Sequence, residues 1–132
     1  MTYLIDTDVM VDFFKQKKPA QELITTLSKT ATLALSALTV AELRSGWTTE
    51  QAEYLLPRLF ALCDVVPVTR EIADQAGAWR QEYKRRGVSL GAVDTVIAAT
   101  ADRLGFILVT NNTKDYPMPE LRLFDHPKKE AA

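Results

Sequence analysis

Short β-rich runs alternate with longer segments of helical period along this 132-residue sequence, and that alternation limits the folds open to it. The β-rich runs are residues 3–5, 33–35, 65–68, 106–109 and a weaker run, 121–124. Strands of this kind, separated by helices, usually belong to one parallel sheet. The alternation therefore predicts an α/β fold in which helices cover a parallel sheet.

Three segments carry apolar residues at the spacing of one helix face. The first contains Pro57, a residue that can bend a helix, and the third ends at Gly105, which is typical of a helix C-cap. We expect the second and third helices to pack on the sheet. The stripes are formed by Ala52, Leu55, Leu56, Leu59, Phe60 and Cys63, by Ile72, Ala76, Trp79 and Tyr83, and by Val93, Val96, Ile97, Thr100 and Leu104.

The composition indicates a single domain. With 47% apolar residues, the chain is long enough for one sizeable core and too short for two ordinary domains. We place this domain at residues 1–126, with residues 127–132 as a solvated C-terminal tail. The net charge of -1 excludes a global basic field, so contacts with nucleic acid have to come from local basic patches.

Cysteine usage and hydropathy indicate the cellular environment. Cys63 is the one cysteine, and its apolar neighbours are typical of a buried thiol in a reducing compartment. No apolar stretch approaches the roughly 20 residues of a membrane span, and the N-terminus lacks the pattern of a signal peptide. We therefore expect a cytoplasmic protein that does not act at a membrane.

Two aspartates follow the first β-rich run. Asp6 stands at the end of that strand, and in open α/β sheets the carboxyl ends of the strands border the crevice in which ligands bind. Asp6 and Asp8 could instead cap the helix that begins here, by accepting a backbone N–H of its first turn. We expect Asp8 to have the capping role, whereas for Asp6 both readings stay open.

Further polar residues fall at the same edge of the predicted sheet. Thr39 and Glu42 match a capping box, which taken alone explains Glu42. Asp94 lies near a helix N-terminus, where the helix dipole stabilises an acid by about 0.3–1 kcal/mol. The strand 106–109 leads into a polar loop in which Asn112 and Asp115 could face the crevice or form an ordinary turn.

The coincidence of these acids at one sheet edge favours a metal site. Crowded carboxylates repel one another, which raises their proton affinity unless a cation neutralises them. Oxygen donors without a cysteine or histidine cluster suit Mg²⁺ or Mn²⁺ far better than zinc, since His126 is the one histidine. The sequence therefore predicts a site for a hard divalent cation.

Four segments, taken in order, resemble PIN-domain proteins, in particular the VapC-type toxins. The order and spacing match over almost the whole chain. The resemblance implies a three-layer α/β fold with a central, mostly parallel five-stranded sheet flanked by helices. The segments are Leu4-Ile5-Asp6-Thr7-Asp8-Val9, Ser36-Ala37-Leu38-Thr39-Val40-Ala41-Glu42-Leu43, Asp94-Thr95-Val96-Ile97-Ala98-Ala99-Thr100-Ala101 and Leu108-Val109-Thr110-Asn111-Asn112.

The same resemblance implies a function and its site residues. The chain would be a Mg²⁺-dependent endoribonuclease, with Mn²⁺ as a substitute, in which a metal-activated water hydrolyses RNA phosphodiester bonds. Asp6, Glu42 and Asp94 would be the catalytic metal ligands. The preference for RNA over DNA rests on the resemblance alone.

Three residues of the loop after residue 109 are candidates for supporting roles in catalysis. Many relatives carry a fourth acid where this sequence has Asn112, a difference that Asp115 can partly compensate. We expect Asn112 and Thr110 to orient water or phosphate and Asp115 to hold a water bound to the metal.

Basic residues are the candidates for substrate contact. Arg44 and Arg80 are nearest to the predicted site, and two clusters lie at residues 15–18 and 84–86. Phosphate contacts through these cations would weaken steeply with salt. Each cluster also fits a solvated helix end, where cations interact well with the helix dipole.

The resemblance further implies two protein partners, a cognate antitoxin and a second copy of the chain in a homodimer. An antitoxin typically lays a segment across the toxin's groove. The helix after residue 49 offers apolar surface for this contact, although most of its side chains are also explained as core. The residues concerned are Trp47, Tyr54, Leu55, Leu56, Leu59 and Phe60.

Two other functions remain as alternatives. A receiver-type signalling domain shares the α/β class but needs a phosphoacceptor aspartate after its middle strand, where this chain has Thr69. A non-catalytic module would use the crevice only to hold RNA or a protein. Against that reading, carboxylates repel phosphates unless a metal intervenes.

Overall fold

The computed structural model describes residues 1–126 and has a parallel sheet at its centre. The predicted runs 3–5, 33–35, 65–68 and 106–109 are confirmed as strands, with small shifts in their bounds. These strands are β1 (Thr2–Ile5), β2 (Thr32–Ser36), β3 (Asp64–Val66) and β4 (Ile107–Val109). They pair in the order β3-β2-β1-β4, and every pairing is parallel.

Helices fill the connections between the strands. The three apolar stripes correspond to α4, α5 and α6 below, whereas no helix was predicted for the segment of α2. Residues 1–126 contain α1 (Thr7–Phe14), α2 (Lys18–Ser28), α3 (Ala37–Ser45), α4 (Thr49–Leu62), α5 (Arg70–Arg85), α6 (Ala92–Leu104) and a short 3-10 helix (Thr113–Asp115). No helix in this part of the chain is long and apolar enough to cross a bilayer.

The sheet separates two apolar clusters, and this confirms the three-layer architecture. Leu4 pairs with Ala34 and Leu108, and all three belong to the cluster that contains the buried residues of α5 and α6. The next residues along two of these strands, Ile5 and Val109, belong to the cluster formed with α1 to α4. Because successive side chains of a strand point to opposite faces, helices cover both faces of the sheet.

The expected fifth strand, residues 121–124, is not formed as a strand, so the sheet described by residues 1–126 has four. This segment makes a single parallel bridge between Leu108 and Leu123. The Leu108 N–H donates to the Arg122 carbonyl at 2.9 Å, and the Phe124 N–H donates to the Leu108 carbonyl at 2.8 Å. The strand β4 has three residues, and only the backbone N–H and carbonyl of its middle residue, Leu108, point away from β1 toward this segment.

The apolar stripe of α4 is only partly buried. Leu59 is 0% exposed and Ala52 is buried, but the Phe60 side chain is 50% exposed. The helix runs without interruption through Pro57. Cys63, the residue after α4, is buried as expected, and burial raises the pKa of its thiol to about 12.

Candidate active site

The carboxyl ends of β1 and β4 bring Asp6 and Thr110 side by side. Asp6 is the residue between β1 and α1, and its Oδ1 accepts the Thr7 N–H at 2.8 Å as the N-cap of that helix. Its Oδ2 accepts the Thr110 hydroxyl at 2.8 Å. Asp6 is therefore both a helix cap and a member of the sheet-edge site, the two readings that the sequence left open.

Tyr116 joins Asp6 to the other side of the crevice. Its hydroxyl lies 2.7 Å from Asp6 Oδ2 and 3.4 Å from Asp94 Oδ1, and its ring is buried. Burial raises the pKa of this phenol, and the charges of Asp6 and Asp94 raise it further, so the hydroxyl stays protonated and donates. Tyr116 was not predicted from the sequence, although an aromatic residue in an otherwise polar loop is a signal of burial.

Asp94 lies in the first turn of α6, as predicted, but it is not the cap. The N-cap is Gly91, and no side chain caps this helix end. Partial burial raises the pKa of the Asp94 carboxyl, and the nearby charges of Asp6, Asp115 and Glu42 raise it further, while the Tyr116 hydrogen bond lowers it. The predicted acids therefore share one electrostatic environment.

Glu42 is exposed and is held by α1 rather than by its own helix. The Thr7 hydroxyl lies 2.6 Å from Glu42 Oε1 and 3.0 Å from the Thr39 hydroxyl. The capping-box reading is wrong because α3 begins earlier than that box requires. Its N-cap is Ser36, which accepts the Leu38 N–H at 3.1 Å, so Glu42 lies beyond the first turn with its carboxylate available to the crevice.

Asp8 is part of the site and does not cap α1, which corrects the prediction. Its Oδ2 accepts the Asn111 N–H at 3.0 Å and the Asn112 side-chain amide at 3.1 Å. Its Oδ1 is buried without a hydrogen-bond partner among the described residues. Burial, followed by the charge of Asp6, raises the pKa of Asp8 to about 6.

The remaining candidates of the 110–115 loop differ in accessibility. Thr110 is 1% exposed, and its hydroxyl both supports Asp6 and accepts the Asn112 N–H at 3.1 Å, so it lies beneath the acids rather than at their open surface. Asn112 and Asp115 are exposed. The structure thus brings both exposed residues to the acidic crevice, Asn112 through Asp8 and Asp115 through its charge on Asp94.

The two predicted substrate arginines occupy different positions. Arg44 donates from one guanidinium nitrogen to the Trp47 carbonyl at 2.8 Å and from another to the Thr49 hydroxyl at 3.4 Å, so it ties together the turn between α3 and α4. Arg80 is exposed on α5, and its Nε donates to the Leu90 carbonyl at 3.1 Å, next to the start of α6. Only Arg80 is linked to the segment that leads to Asp94.

The residues of the crevice fit a hard divalent cation. Among residues 1–126, no three acidic, histidine or cysteine side chains are close enough to enclose a metal ion, so the carboxylates border the crevice without forming a closed cage. The raised pKa values of Asp8 and Asp94 come in part from neighbouring carboxylates, and a cation would relieve that repulsion. The donors are all oxygen, the chemistry that Mg²⁺ and Mn²⁺ prefer.

The fold and the site define a class, the three-layer α/β proteins with an acidic crevice at the carboxyl edge of a parallel sheet. Within this class the chain belongs to the PIN domain family, whose sequence profile matches residues 3–118. The matched segment includes Asp6, Glu42, Asp94 and Tyr116 and ends before Leu123, which forms the isolated bridge to the sheet.

Curated relatives cover nearly the same length. Ribonuclease VapC10 of Mycobacterium tuberculosis is 34% identical over 117 residues, which span 89% of this chain and 87% of the relative. The tRNA(fMet)-specific endonuclease VapC of Shigella flexneri is 27% identical over 120 residues, which span 88% of this chain and 90% of the relative.

Solved structures give the same result at the level of the fold. VapBC2 from Rickettsia felis, bound to a DNA fragment from its promoter, matches with a TM-score of 0.83 and 26% identity, over 96% of this chain and 100% of that one. VapBC-1 from nontypeable Haemophilus influenzae matches with a TM-score of 0.79 and 27% identity, over 95% of this chain and 98% of that one.

Proposed function

We propose that this chain is a metal-dependent endoribonuclease and the toxin of a toxin–antitoxin pair. The observation that carries the proposal is the buried Tyr116 hydroxyl, which joins Asp6 and Asp94 at the carboxyl edge of the sheet in a PIN domain. One relative that matches most of the chain is named a ribonuclease and another a tRNA(fMet)-specific endonuclease, and two matched structures are of VapBC proteins. Mg²⁺ is the proposed cofactor, with Mn²⁺ as a substitute.

Asp6 and Asp94, with Glu42, are the proposed metal ligands. When bound, Mg²⁺ would supply Lewis-acid stabilisation of the charge that develops on the phosphodiester oxygens. Asp6 is held in place on both oxygens, by the Thr7 N–H and by the hydroxyls of Thr110 and Tyr116. Carboxylates that are already fixed need little reorganisation during the reaction. Avoiding the free-energy cost of that reorganisation is a large part of how enzymes accelerate reactions.

The exposed residues of the crevice serve the substrate and the attacking water. Glu42 is accessible and can accept a proton from a water molecule. Asn112 is held by its donation to Asp8, which leaves its carbonyl oxygen to orient water or phosphate. Asp115 adds negative charge beside Asp94 and would accept a hydrogen bond from a water bound to the metal.

The direct test is cleavage of a mixed RNA pool by the purified chain, free of antitoxin, with Mg²⁺, with Mn²⁺ and with a chelator. Asp94→Asn should reduce cleavage by about 100-fold or more, because a metal ligand loses its charge. It should leave the free energy of unfolding unchanged or raised, since it relieves repulsion in the crevice. Asp102→Asn is the matched control on α6, where Asp102 accepts a hydrogen bond from Gln75 at 2.8 Å.

Cleavage that persists in chelator, or that Asp94→Asn and Asp102→Asn affect equally, would contradict the proposal. Binding of RNA without cleavage under any metal would favour a non-catalytic RNA-binding module. We also propose a cytoplasmic location and a homodimer, the latter measurable by light scattering of the purified chain. Residues 1–126 are the proposed extent of the domain.

The proposed antitoxin surface is the exposed side of α4. Tyr54 and Phe60 are 59% and 50% exposed, and Leu55 and Leu56 between them are half-buried. The Arg58 guanidinium lies over the Tyr54 ring, 3.4 Å from its centroid. Large aromatic side chains at this exposure are typical of the centre of a protein interface. A matched structure from Klebsiella pneumoniae, 28% identical and with a TM-score of 0.75, is of a toxin–antitoxin complex.

A further inference from the structure

A basic groove lies between the last turns of α5 and the segment that leads into α6. Its walls are formed by Arg80, Gln81 and Lys84 on one side and by residues 87–90 on the other, and its volume is about 580 Å³. Gly87, with φ of +80°, makes the turn that folds this segment back along the helix. The groove is therefore a product of how α5 ends.

The charge of the groove is positive. Its lining contains two cations, the Gln81 amide and the Ser89 hydroxyl, but no carboxylate. Arg80 is fixed by its Nε donation to the Leu90 carbonyl at 3.1 Å, which leaves its terminal nitrogens as donors. Within residues 1–126, neither Arg80 nor Lys84 forms an ion pair, whereas the adjacent Arg86 is paired with Glu82 at 2.6 Å.

The segment that lines the groove leads directly to the start of α6 beside Asp94. Leu90 forms the far wall of the groove, and the next residue, Gly91, is the N-cap of α6. A Cβ atom placed on Gly91 would lie 3.4 Å from Asp94 Oδ2, so the end of the segment lies against that carboxylate. No side chain caps α6, and the N–H groups of its first turn are therefore available as hydrogen-bond donors between the groove and Asp94.

We propose that this groove binds the phosphate backbone of a single-stranded RNA next to the bond that is cleaved. This inference rests on the proposed ribonuclease function. The acidic crevice repels phosphates, so the strand has to be held by cations close to it. Arg80 and Lys84 provide that charge, since Arg44 is engaged in the turn between α3 and α4. Phosphates in the groove would position the next linkage at Asp94.

Binding can be measured without cleavage by fluorescence anisotropy of a labelled, unstructured RNA of about 12 nucleotides, a length that spans such a groove and the site. All proteins in this assay carry Asp94→Asn. The double variant Arg80→Gln with Lys84→Gln should bind about 10-fold or more weakly at about 0.1 M salt. The slope of log K against log salt should fall by about 1.4, as expected for two lost phosphate contacts on a single strand.

The matched control is Lys29→Gln with Arg103→Gln, which removes the same charge from two exposed positions outside the groove and the crevice. It should leave both affinity and slope unchanged. Equal weakening by the two double variants would overturn the proposal, because the effect would then be one of overall charge. Lys84→Gln alone breaks no hydrogen bond present in residues 1–126 and keeps the test decisive if the double variant is unstable.

Cleavage assays on chains that retain Asp94 separate this inference from the proposed function. The groove variant should raise KM with little change in kcat, because the groove binds substrate and transition state alike. If the groove variant cleaves RNA with an unchanged KM, the proposed RNA-binding role of the groove is wrong and the ribonuclease proposal stands. If the chain cleaves no RNA but its RNA binding depends on Arg80 and Lys84, the ribonuclease proposal is wrong and the groove stands as an RNA-binding site.

Discussion

The Tyr116 hydroxyl contacts both central acids of the crevice, Asp6 and Asp94. The Tyr116 hydroxyl has one proton and two carboxylate neighbours, and the shorter contact, 2.7 Å to Asp6, takes that proton. Burial and the neighbouring carboxylates raise the pKa of the phenol, so the hydroxyl keeps its proton at neutral pH. Tyr116 is a positioning residue, because it acts through Asp6 and Asp94.

We expect Tyr116→Phe to lower the free energy of unfolding by about 1 kcal/mol, since a buried hydrogen bond is lost. The Mg²⁺ concentration for half-maximal cleavage should rise about 10-fold, because Asp6 and Asp94 lose their common donor. Tyr83→Phe is a matched control, as the Tyr83 hydroxyl is also buried and donates to the Pro117 carbonyl at 3.3 Å. An equal shift in metal dependence for the two variants would mean that Tyr116 has only a structural role.

The pKa of Asp8 predicts a dependence of stability on pH. Its pKa of about 6 in the folded chain lies above the ordinary value of 3.8, so the folded state binds this proton more tightly than the unfolded state. The resulting stabilisation is complete below pH 3.8 and is lost as the pH rises through about 6. In chelator, urea denaturation should therefore give Asp8→Asn a growing advantage over the wild type between pH 4 and 7. A constant difference over that interval would exclude this coupling.

At the residue scale, the sequence predicted that the candidate acids lie at one edge of the sheet, which the structure confirms, but not how each one is held. Asp6, Glu42 and Asp94 were identifiable because each follows a strand or begins a helix at one sheet edge. The exchange of roles between Asp6 and Asp8 could not be predicted, because it depends on α1 starting at Thr7. Tyr116 contacts Asp6 across 110 residues of sequence, a pairing that no local pattern contains.

At the scale of elements, strands and helices were predicted correctly where their apolar residues form a clear pattern in the sequence. The four strands were recognisable because each contains a run of apolar residues, as is typical of a parallel sheet with helices on both faces. The helix α2 was missed, since its three buried residues, Ala20, Ile24 and Leu27, are diluted among exposed polar ones. The fifth strand was overpredicted because the weak run 121–124 meets only one outward-facing backbone residue, Leu108.

In α4, a core residue, Leu59, is followed directly by a residue of the proposed interface, Phe60. Leu59→Ala should lower the free energy of unfolding by about 2–5 kcal/mol, because Leu59 is 0% exposed. Phe60→Ser, at a side chain that is 50% exposed, should change stability by about 0.5 kcal/mol or less and should weaken capture of the antitoxin. Urea denaturation and co-purification with the antitoxin measure the two effects. Strong destabilisation by Phe60→Ser would assign this residue to the core.

At the scale of the whole molecule, the C-terminal segment completes the sheet and touches the site. Leu121 is buried, Leu123 bridges to Leu108, and His126 Nε2 lies 2.7 Å from the Thr110 carbonyl. These contacts support the proposal that the domain extends to residue 126. The predicted tail, residues 127–132, lies outside the described residues.

Truncation tests this boundary. A chain that ends at Glu120 should lose about 3 kcal/mol or more of stability and most of its cleavage, because Leu108 loses two backbone partners and buried surface becomes exposed. A chain that ends at His126 should unfold and cleave RNA as the full chain does. Thermal unfolding and the RNA-pool assay measure stability and cleavage. Loss of folding in the chain that ends at His126 would move the boundary beyond residue 126.

The separation of 110 residues between Asp6 and Tyr116 also sets the order in which the proposed site assembles while the chain is made. A ribosome synthesises Asp6 well before the phenol that links it to Asp94. The fully ordered set of proposed metal ligands therefore forms only after synthesis has passed Tyr116. Because α4 precedes Tyr116 in the sequence, its exposed side, the proposed antitoxin surface, is made before that set is complete.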